Sequence, residues 1–245
     1  MTIKIGVHGA SGRMGLALAE AIAKDSRFYL AAKYSRSYEF STLLDLVLSS
    51  DVIIDFSSPD GLFPLLEIAK TYHKKILIGT TGLVEQHFHQ IEKAAQVIAV
   101  LHAPNTSIGA NLLIEMAGKM AKVLGGYDAE IIDLHHQYKK DAPSGTALAI
   151  GKNIALAKEQ KFENVAVFNR VNKGERQNDE IGFSSIRAGG IWGEHEVIFA
   201  NSSEVITLGA RALSRDVFAD GALTAAHWLN SKGPGLYTMK EVLEI

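Results

Sequence analysis

The side chains that could do chemistry are densest between residues 133 and 147, where paired histidines precede lysines and a helix start. The run reads Asp133-Leu134-His135-His136-Gln137-Tyr138-Lys139-Lys140-Asp141-Ala142-Pro143-Ser144-Gly145-Thr146-Ala147. Histidine can donate a proton near neutral pH. We expect Pro143 to open a helix, whose unpaired N–H groups and neighbouring hydroxyls would bind an anion. With Lys139 and Lys140 beside it, the segment predicts a general acid next to a site for an anionic substrate.

Two less specific interpretations of this segment stay open. It also fits a surface loop that leads into a capped helix, with His135 and His136 as polar residues at a strand end. Metal binding is the weaker alternative, because adjacent histidines on a strand point to opposite faces and no third ligand stands nearby. We predict no metal site, a surface position for His87 and His89, and structural roles for the remaining histidines, which are His8, His73, His102, His195 and His227.

A glycine-rich turn near the N-terminus carries a second signal. Gly9-Ala10-Ser11-Gly12-Arg13-Met14-Gly15 separates the predicted strand Ile3–His8 from a predicted helix. Glycines permit close backbone approach and a helix start attracts phosphate, so the turn predicts dinucleotide binding. Its G-x-x-G-x-x-G spacing departs from G-x-G-x-x-G, and a turn needed only for packing is the alternative. Arg13 would begin the helix, where a cation is unfavourable unless an anion binds.

The tip of the second predicted strand, Phe28–Tyr34, bears on which dinucleotide is used. An acid is expected there to bind the ribose 2′-hydroxyl, but the residues present are Lys33-Tyr34-Ser35-Arg36. A basic tip with a hydroxyl suits a 2′-phosphate, so we predict a preference for NADPH over NADH. An ordinary solvated turn is one alternative. Glu39 would supply the missing acid if the loop folded back.

Three further turns follow predicted strands and collect small polar residues. They are Phe56-Ser57-Ser58-Pro59, Gly79-Thr80-Thr81-Gly82 and Ala103-Pro104-Asn105-Thr106. Ligands of open parallel sheets bind beyond the carboxyl ends of the strands, so we expect these turns to line one crevice. Each turn alone is also explained by ordinary turn chemistry.

The elements that must position these residues change in pattern along the chain. Through residue 103, short apolar runs alternate with helical patterns, which predicts a parallel sheet. Strand candidates at 128–136, 180–187, 194–200 and 205–208 then predict an antiparallel or mixed sheet, and the apolar helix at 217–229 would pack back on the first domain. Apolar residues occupy both alternating sets of strand positions, so both faces of that sheet would be apolar, which predicts a subunit interface on it. Examples are Ile186, Ile191, Val197, Ile198 and Phe199.

Composition bounds the class of protein. The 245 residues are 47% hydrophobic and 21% charged, which fits a globular protein and excludes a disordered, collagen-like or coiled-coil chain. The net charge of −2 argues against a nucleic-acid partner. The absence of cysteine excludes disulfides and thiolate catalysis and suits a reducing compartment. With neither a signal peptide nor an apolar run of membrane-spanning length, we expect a cytoplasmic protein with no membrane partner.

These motifs together resemble the 4-hydroxy-tetrahydrodipicolinate reductases, also called dihydrodipicolinate reductases. The resemblance rests on the glycine turn, Gly79-Thr80-Thr81-Gly82, Asn105-Thr106-Ser107-Ile108-Gly109, the segment from His135 to Ala147, Arg187-Ala188-Gly189, Gly193-Glu194-His195 and Ser214-Arg215. It implies reduction of a cyclic, unsaturated dicarboxylate by a nicotinamide dinucleotide in the diaminopimelate route to lysine. It also implies an α/β protein with a Rossmann-like domain (1–106 and 216–245) and an α+β domain (107–215) that binds substrate and forms a homotetramer.

The resemblance further implies roles for single residues. His135 would be the proton donor, and Lys139 a second proton-transfer and charge-stabilising residue. The substrate carboxylates would be bound by His136, Lys139, Ser144, Gly145, Thr146 and Thr81. The dinucleotide would be held by Gly9, Ala10, Ser11, Gly12, Arg13, Met14, Tyr34, Ser35, Arg36, Gly79, Thr80, Thr81, Ala103, Pro104, Asn105, Thr106 and Arg215. The alternative from another class is a regulator that senses a dinucleotide without turnover, which would need neither the proton donor nor the anion cluster.

Overall fold

The computed structural model describes residues 2–38 and 41–245, which form two compact units. The first unit is drawn from Met1–Ile108 and Arg215–Ile245, and the second from Gly109–Ser214. Glu39, the alternative acid near the second strand, lies outside the described residues. Within the described ranges, no helix is long and apolar enough to cross a membrane.

The first unit is built on a parallel sheet. Its strands are β1 (Ile3–His8), β2 (Phe28–Tyr34), β3 (Val52–Asp55), β4 (Lys75–Ile78), β5 (Ala99–His102) and β11 (Gly235–Tyr237). They lie in the order β11-β5-β4-β3-β1-β2, and every neighbouring pair is parallel. The predicted Rossmann-like sheet is confirmed. The strand order switches direction at β1, with β2 on one side and β3 on the other, which is where such sheets bind ligands.

The helices of this unit cover both faces of the sheet. They are α1 (Arg13–Lys24), α2 (Leu43–Ser49), α3 (Pro59–Thr71), α4 (Glu85–Ala95), α8 (Asp216–Leu229) and α9 (Met239–Leu243). Helix α1 buries Gly15, Leu18 and Ile22, which recur at helical spacing. Helix α8 belongs to the same apolar cluster as β1, so the predicted return of the last long helix to the first domain is confirmed.

The second unit contains a mixed five-stranded sheet. Its strands are β6 (Asp128–His135), β7 (Ala166–Val167), β8 (Ile181–Arg187), β9 (Glu194–Ala200) and β10 (Val205–Arg211), in the order β10-β9-β6-β8-β7. Strand β6 is parallel to β8 and antiparallel to β9, which confirms the prediction of a mixed sheet. Helices α5 (Ile108–Val123), α6 (Gly145–Ala157) and α7 (Phe162–Val165) complete the unit.

In the described part of the second unit, α5 and α6 pack on one face of this sheet, and the opposite, uncovered face carries no helix. Val197 and Phe199 point into the core that α5 and α6 share, while Ile186 is 44% exposed. The predicted set of interface residues is therefore wrong for Val197 and Phe199, which the protein's own helices cover. It is also wrong for Ile191, which lies in the loop between β8 and β9. By strand parity, the apolar residues on the uncovered face include Ile132, Leu134, Ile186 and Ile198.

Two local expectations from the sequence are wrong. Helix α6 begins at Gly145 rather than Pro143, because the Ser144 side chain caps it by accepting from the backbone N–H of Ala147. His87 is buried rather than on the surface. Its Nδ1 accepts from the backbone N–H of Val84 at 3.1 Å, and its ring stacks on Phe63, so it anchors the start of α4.

Candidate active site

The predicted acid, His135, ends β6 beside a buried carboxylate, Asp133, which is 1% exposed. Nδ1 of His135 lies 2.8 Å from Oδ1 of Asp133, and Nε2 of His195 lies 3.4 Å from the same oxygen. Residues two apart on a strand share a face, and His195 on β9 pairs in register with Asp133. The sheet itself therefore brings these three side chains together.

The second carboxylate oxygen of Asp133 accepts from other elements. Nη2 of Arg187 on β8 donates to Oδ2 at 2.8 Å, and so does the backbone N–H of Ser144 at 2.8 Å. The Ser185 hydroxyl donates to it at 3.3 Å. Burial alone would raise the pKa of Asp133, but two adjacent histidines and the hydrogen bonds from an arginine and a backbone N–H hold that pKa well below its usual range. Asp133 is therefore an anion in the folded protein.

The two ring nitrogens of His135 have different surroundings. Nδ1 is next to Asp133, whereas a β-carbon built on Gly193 would lie 3.1 Å from Nε2. The ring of His195 packs edge-on against that of His135, with 5.2 Å between their centroids. Nε2 therefore faces the place where Gly193 has no side chain.

Ser144 joins this cluster to the start of α6. Its hydroxyl caps the helix and lies 3.0 Å from Nε2 of His195. The first N–H groups of a helix have no intrahelical acceptor, and no acidic residue occupies this first turn, so the helix start attracts anions. Gly145 is exposed there and Thr146 is partly exposed. The predicted anion site thus lies beside the predicted acid.

The loop between β6 and α6 carries the remaining predicted substrate residues. Lys139 is half-buried, and its Nζ lies 2.9 Å from Oδ1 of Asp141, whereas Lys140 is exposed. Burial would raise the pKa of Asp141, but the hydrogen bond from Lys139 lowers that pKa overall. The ring of His136 lies 6.4 Å from that of Tyr138. The ion pair with Asp141 thus fixes the position of the Lys139 ammonium group in this loop.

Three ligand atoms in this cluster could in principle meet at a metal ion. Asp133, His135 and His195 each offer one, and these atoms lie within 4.8 Å of one another. The argument that no third ligand stands nearby is therefore wrong, because His195 arrives from another strand. The guanidinium of Arg187 on Asp133 is the better argument against a cation, since it places a positive charge at the same carboxylate.

In the first unit, the glycine turn is tight. Gly9 has φ of +82°, and a β-carbon there would lie 2.3 Å from the carbonyl oxygen of Phe56. A β-carbon on Gly15 would lie 2.5 Å from the Gly9 carbonyl oxygen. Gly12 is the N-cap of α1 and has no side chain to occupy the helix start. Close backbone packing therefore requires Gly9 and Gly15, and the start of α1 that they leave open has the N–H groups that suit a phosphate.

A cleft of about 320 Å³ opens beside this turn at the switch point of the sheet. Among the residues that line it are Gly9, Ser11, Gly12, Tyr34, Ser35, Arg36, Phe56 and Ser57. The hydroxyls of Ser11 and Ser35 lie 2.6 Å apart, which joins the glycine turn to the tip of β2. Arg36 is exposed. The structure therefore brings the predicted phosphate turn and the predicted basic tip to one cleft.

A buried polar network lies under the strand ends. Nδ1 of His8 lies 2.8 Å from Oδ1 of Asp55, and the Thr80 hydroxyl donates to Oδ2 of Asp55 at 2.7 Å. The backbone N–H of Ser57 donates to the Thr80 hydroxyl at 3.0 Å. A β-carbon on Gly79 would overlap the Phe56 ring. Thr80 thus uses its side chain to join the turns after β3 and β4, while Thr81 is exposed.

The remaining predicted dinucleotide residues differ in exposure. Thr106 is buried and donates its hydroxyl to the Phe218 carbonyl at 2.6 Å, which ties the turn after β5 to α8. Ala10 and Ala103 are buried, Met14 and Asn105 are partly exposed, and Pro104 is exposed. Burial and the nearby positive charge of Arg13 lower the pKa of Arg215. The starts of α1 and α8 therefore bring two guanidinium groups close to each other.

Sequence reasoning missed Asp133, Arg187 and His195 as parts of the site. A signal existed for Asp133, because it stands two residues before His135 on a predicted strand and so shares its face. His195 and Arg187 reach the cluster only through strand pairing, which a single sequence does not specify.

Comparisons with known proteins match the chain over nearly its whole length. Residues 3–106 match the family described as dihydrodipicolinate reductase, N-terminus, and residues 109–243 match dihydrodipicolinate reductase, C-terminus. A 4-hydroxy-tetrahydrodipicolinate reductase of Rickettsia bellii is 44% identical over 98% of this chain and 94% of its own. One of Zymomonas mobilis is 44% identical over 99% of this chain and 97% of its own. A dipicolinate-bound dihydrodipicolinate reductase from Paenisporosarcina sp. TG-14 superposes with a TM-score of 0.79 at 26% identity, covering 97% of this chain and 98% of that one.

Proposed function

The chain belongs to the dihydrodipicolinate reductase family, and we propose that it reduces 4-hydroxy-tetrahydrodipicolinate to tetrahydrodipicolinate with a nicotinamide dinucleotide. The observation that carries this proposal is the Asp133–His135 pair beside the start of α6. A proton donor and an anion site in one place are what reduction of an unsaturated dicarboxylate needs.

In the reaction, His135 protonates the substrate. A nicotinamide dinucleotide supplies a hydride when bound. The 4-hydroxyl of the substrate leaves as water, which gives a conjugated imine. Addition of a hydride at one end of that conjugated system leaves an electron pair at the other end, which takes up one proton. Nε2 of His135 is the atom placed to give it, because Nδ1 faces Asp133. Lys139 stabilises the negative charge that develops and assists the proton transfer.

The two carboxylates of the substrate bind at the start of α6. The backbone N–H groups of Gly145 and Thr146, with the Thr146 hydroxyl, belong to a helix turn without acidic side chains. His136 and Lys139 add donors from the preceding loop. Ser144 contributes by capping the helix and fixing its first turn on Asp133.

The dinucleotide binds the first unit at the cleft beside the glycine turn. The turn from Gly9 to Met14 holds the pyrophosphate, and Arg13 and Arg215 supply charge from two helix starts. Tyr34, Ser35 and Arg36 hold the adenosine ribose. NADPH is preferred, because the tip of β2 has no acid among residues 33–36 and carries an exposed arginine. The turns at Gly79–Thr81 and Ala103–Thr106 complete the site mainly through their backbones, since Thr80 and Thr106 donate their hydroxyls within the fold.

The protein assembles as a homotetramer through the uncovered face of the second unit's sheet. Ile132, Leu134, Ile186 and Ile198 lie on that face, and an apolar sheet face in water is an unfavourable exposure. The chain has no nucleic-acid or membrane partner and works in the cytoplasm.

A turnover assay tests this function. Purified protein is mixed with NADPH and freshly prepared 4-hydroxy-tetrahydrodipicolinate, and the loss of reduced nicotinamide absorbance is followed. We expect oxidation that depends on both substrate and protein. Tight NADPH binding without oxidation at any substrate concentration would contradict the proposal and favour a dinucleotide-sensing regulator.

A further inference from the structure

We propose that Asp133 is a positioning residue that sets the proton-donating nitrogen of His135 and fixes it relative to the anion site at the start of α6. The inference rests on the proposed function, since it assigns Asp133 a role in that reaction. Asp133 would not touch the substrate. It would act through the groups that it holds.

Several elements of the second unit converge on one carboxylate. Asp133 contacts its own strand through His135, β9 through His195, β8 through Arg187 and the start of α6 through the Ser144 backbone. A carboxylate that is 1% exposed needs such partners to remain ionised. Since each contact comes from a different segment, loss of the charge would release several segments of the site at once.

Asp133 also determines which nitrogen of His135 carries the transferable proton. Nδ1 lies 2.8 Å from a carboxylate oxygen, and this short distance favours a proton on Nδ1, because an unprotonated nitrogen would turn its lone pair toward an anion. Nε2 faces Gly193, which has no side chain to cover it. When the ring is doubly protonated, Nε2 is therefore the nitrogen that can give up its proton, and Nδ1 keeps the other.

Asp133 links the acid to the anion site. Oδ2 of Asp133 accepts from the Ser144 backbone at the N-cap of α6, while Oδ1 faces His135. One carboxylate therefore spans the proton donor and the helix start that would bind the substrate carboxylates. A shift of about 1 Å between such groups costs large factors in rate, so a rigid link of this kind matters for the reaction.

The negative charge of Asp133 determines the pH dependence of kcat that we expect. The charged or titratable groups around His135 are Asp133 on its own strand, Arg187 on β8 and His195 on β9. Only Asp133 among them carries negative charge. Removal of that charge leaves an imidazolium beside an arginine and a second histidine, which disfavours the protonated ring.

The test uses Asp133→Asn with Asp128→Asn as the matched control on the same strand. Asp128 begins β6 and pairs with Arg176, outside the proposed site.

For Asp133→Asn we expect kcat to fall by about 10²-fold or more, and the alkaline limb of the kcat profile to move to lower pH by about one unit. The dissociation constant of NADPH should stay within about twofold, because the first unit binds it. Asp133→Glu should recover part of kcat and the native pH limb. An unshifted limb in Asp133→Asn would overturn the proposal.

A second measurement needs no Asp133 variant and so covers the case in which Asp133→Asn does not fold. Long-range ¹H–¹⁵N NMR of the histidine rings in the native protein reports which nitrogen is protonated, and His135→Gln identifies the signals. At a pH where the ring is neutral, we expect the proton on Nδ1. A neutral ring protonated on Nε2 would overturn the inference. Absence of turnover by the native enzyme would instead contradict the proposed function, whatever the tautomer.

Discussion

Gly193 faces His135 so closely that a β-carbon built on it would lie 3.1 Å from Nε2 of the histidine. Contacts this short are tighter than normal packing, so a methyl group would push the ring away or cover its donating nitrogen. We expect Gly193→Ala to lower kcat/KM by about tenfold or more, with NADPH affinity unchanged. The control is Gly189→Ala in the same loop, where φ is also positive, at +50°, and a β-carbon would meet nothing within 4 Å. Equal kcat/KM values for the two variants would contradict the idea that Nε2 is the donating atom.

The low pKa of Asp133 predicts how stability changes in acid. A carboxyl with a native pKa below its unfolded value near 3.9 stabilises the fold at neutral pH and loses that contribution as pH falls below about 5. Below the unfolded pKa, the unfolded chain binds one more proton at this site than the native chain does. We therefore expect the free energy of unfolding of the native sequence to fall more steeply than that of Asp133→Asn, by up to about 1.4 kcal/mol per pH unit.

Urea unfolding between pH 5.5 and 3.5 measures this difference. Trp192 lies in the second unit and Trp228 in the first, so Trp192 fluorescence in a Trp228→Phe background follows the unit that contains Asp133. Parallel slopes for the two proteins would show that Asp133 is not held ionised by its partners.

Much of this fold could be predicted from the sequence, because local pattern and local structure agree in the first unit. The strands Ile3–His8 and Phe28–Tyr34 were predictable from apolar runs bounded by turn residues. The start of α6 was not, since both Pro143 and Ser144 suit a helix start and only the hydrogen bond to Ala147 decides between them.

The site likewise has a part that the sequence predicts and a part that it does not. His135, Lys139 and Ser144 stand in one short segment, so their types and spacing predicted an acid beside an anion site. Arg187 and His195 reach Asp133 through the pairing of β8 and β9 with β6. Pairing partners and register depend on the whole sheet, which one sequence does not specify.

Cofactor preference is tested at the tip of β2. We expect the native protein to have a kcat/KM about tenfold to a hundredfold higher with NADPH than with NADH at low salt, because exposed charge-assisted contacts to a 2′-phosphate each contribute on the order of 1 kcal/mol. Arg36→Ala should lower the NADPH value selectively. Lys24→Ala, an exposed cation at the end of α1, is the control and should leave the ratio unchanged. An NADH value equal to or above that for NADPH would identify the basic tip as a solvated turn.

The assembly proposal is tested by a charge on the uncovered sheet face. Ile186 is 44% exposed on β8, and an aspartate there would be buried without a partner if the face forms an interface. We expect light scattering to give a tetramer for the native protein at micromolar concentration and smaller species for Ile186→Asp. Leu156→Asp on α6, at a site 74% exposed, should remain tetrameric. A native protein that is a stable monomer would rule out the interface.

The central claim is that His135, assisted by Lys139, protonates the substrate, and kcat of their variants tests it most directly. In the NADPH oxidation assay, His135→Gln and Lys139→Met are compared with the native enzyme and with His89→Gln, an exposed histidine on α4. We predict that His135→Gln lowers kcat by about 10²–10⁴-fold, the usual range for loss of a general acid, that Lys139→Met also lowers kcat, and that NADPH affinity is retained in both. Near-native kcat in both variants would contradict the assignment of proton transfer to this pair.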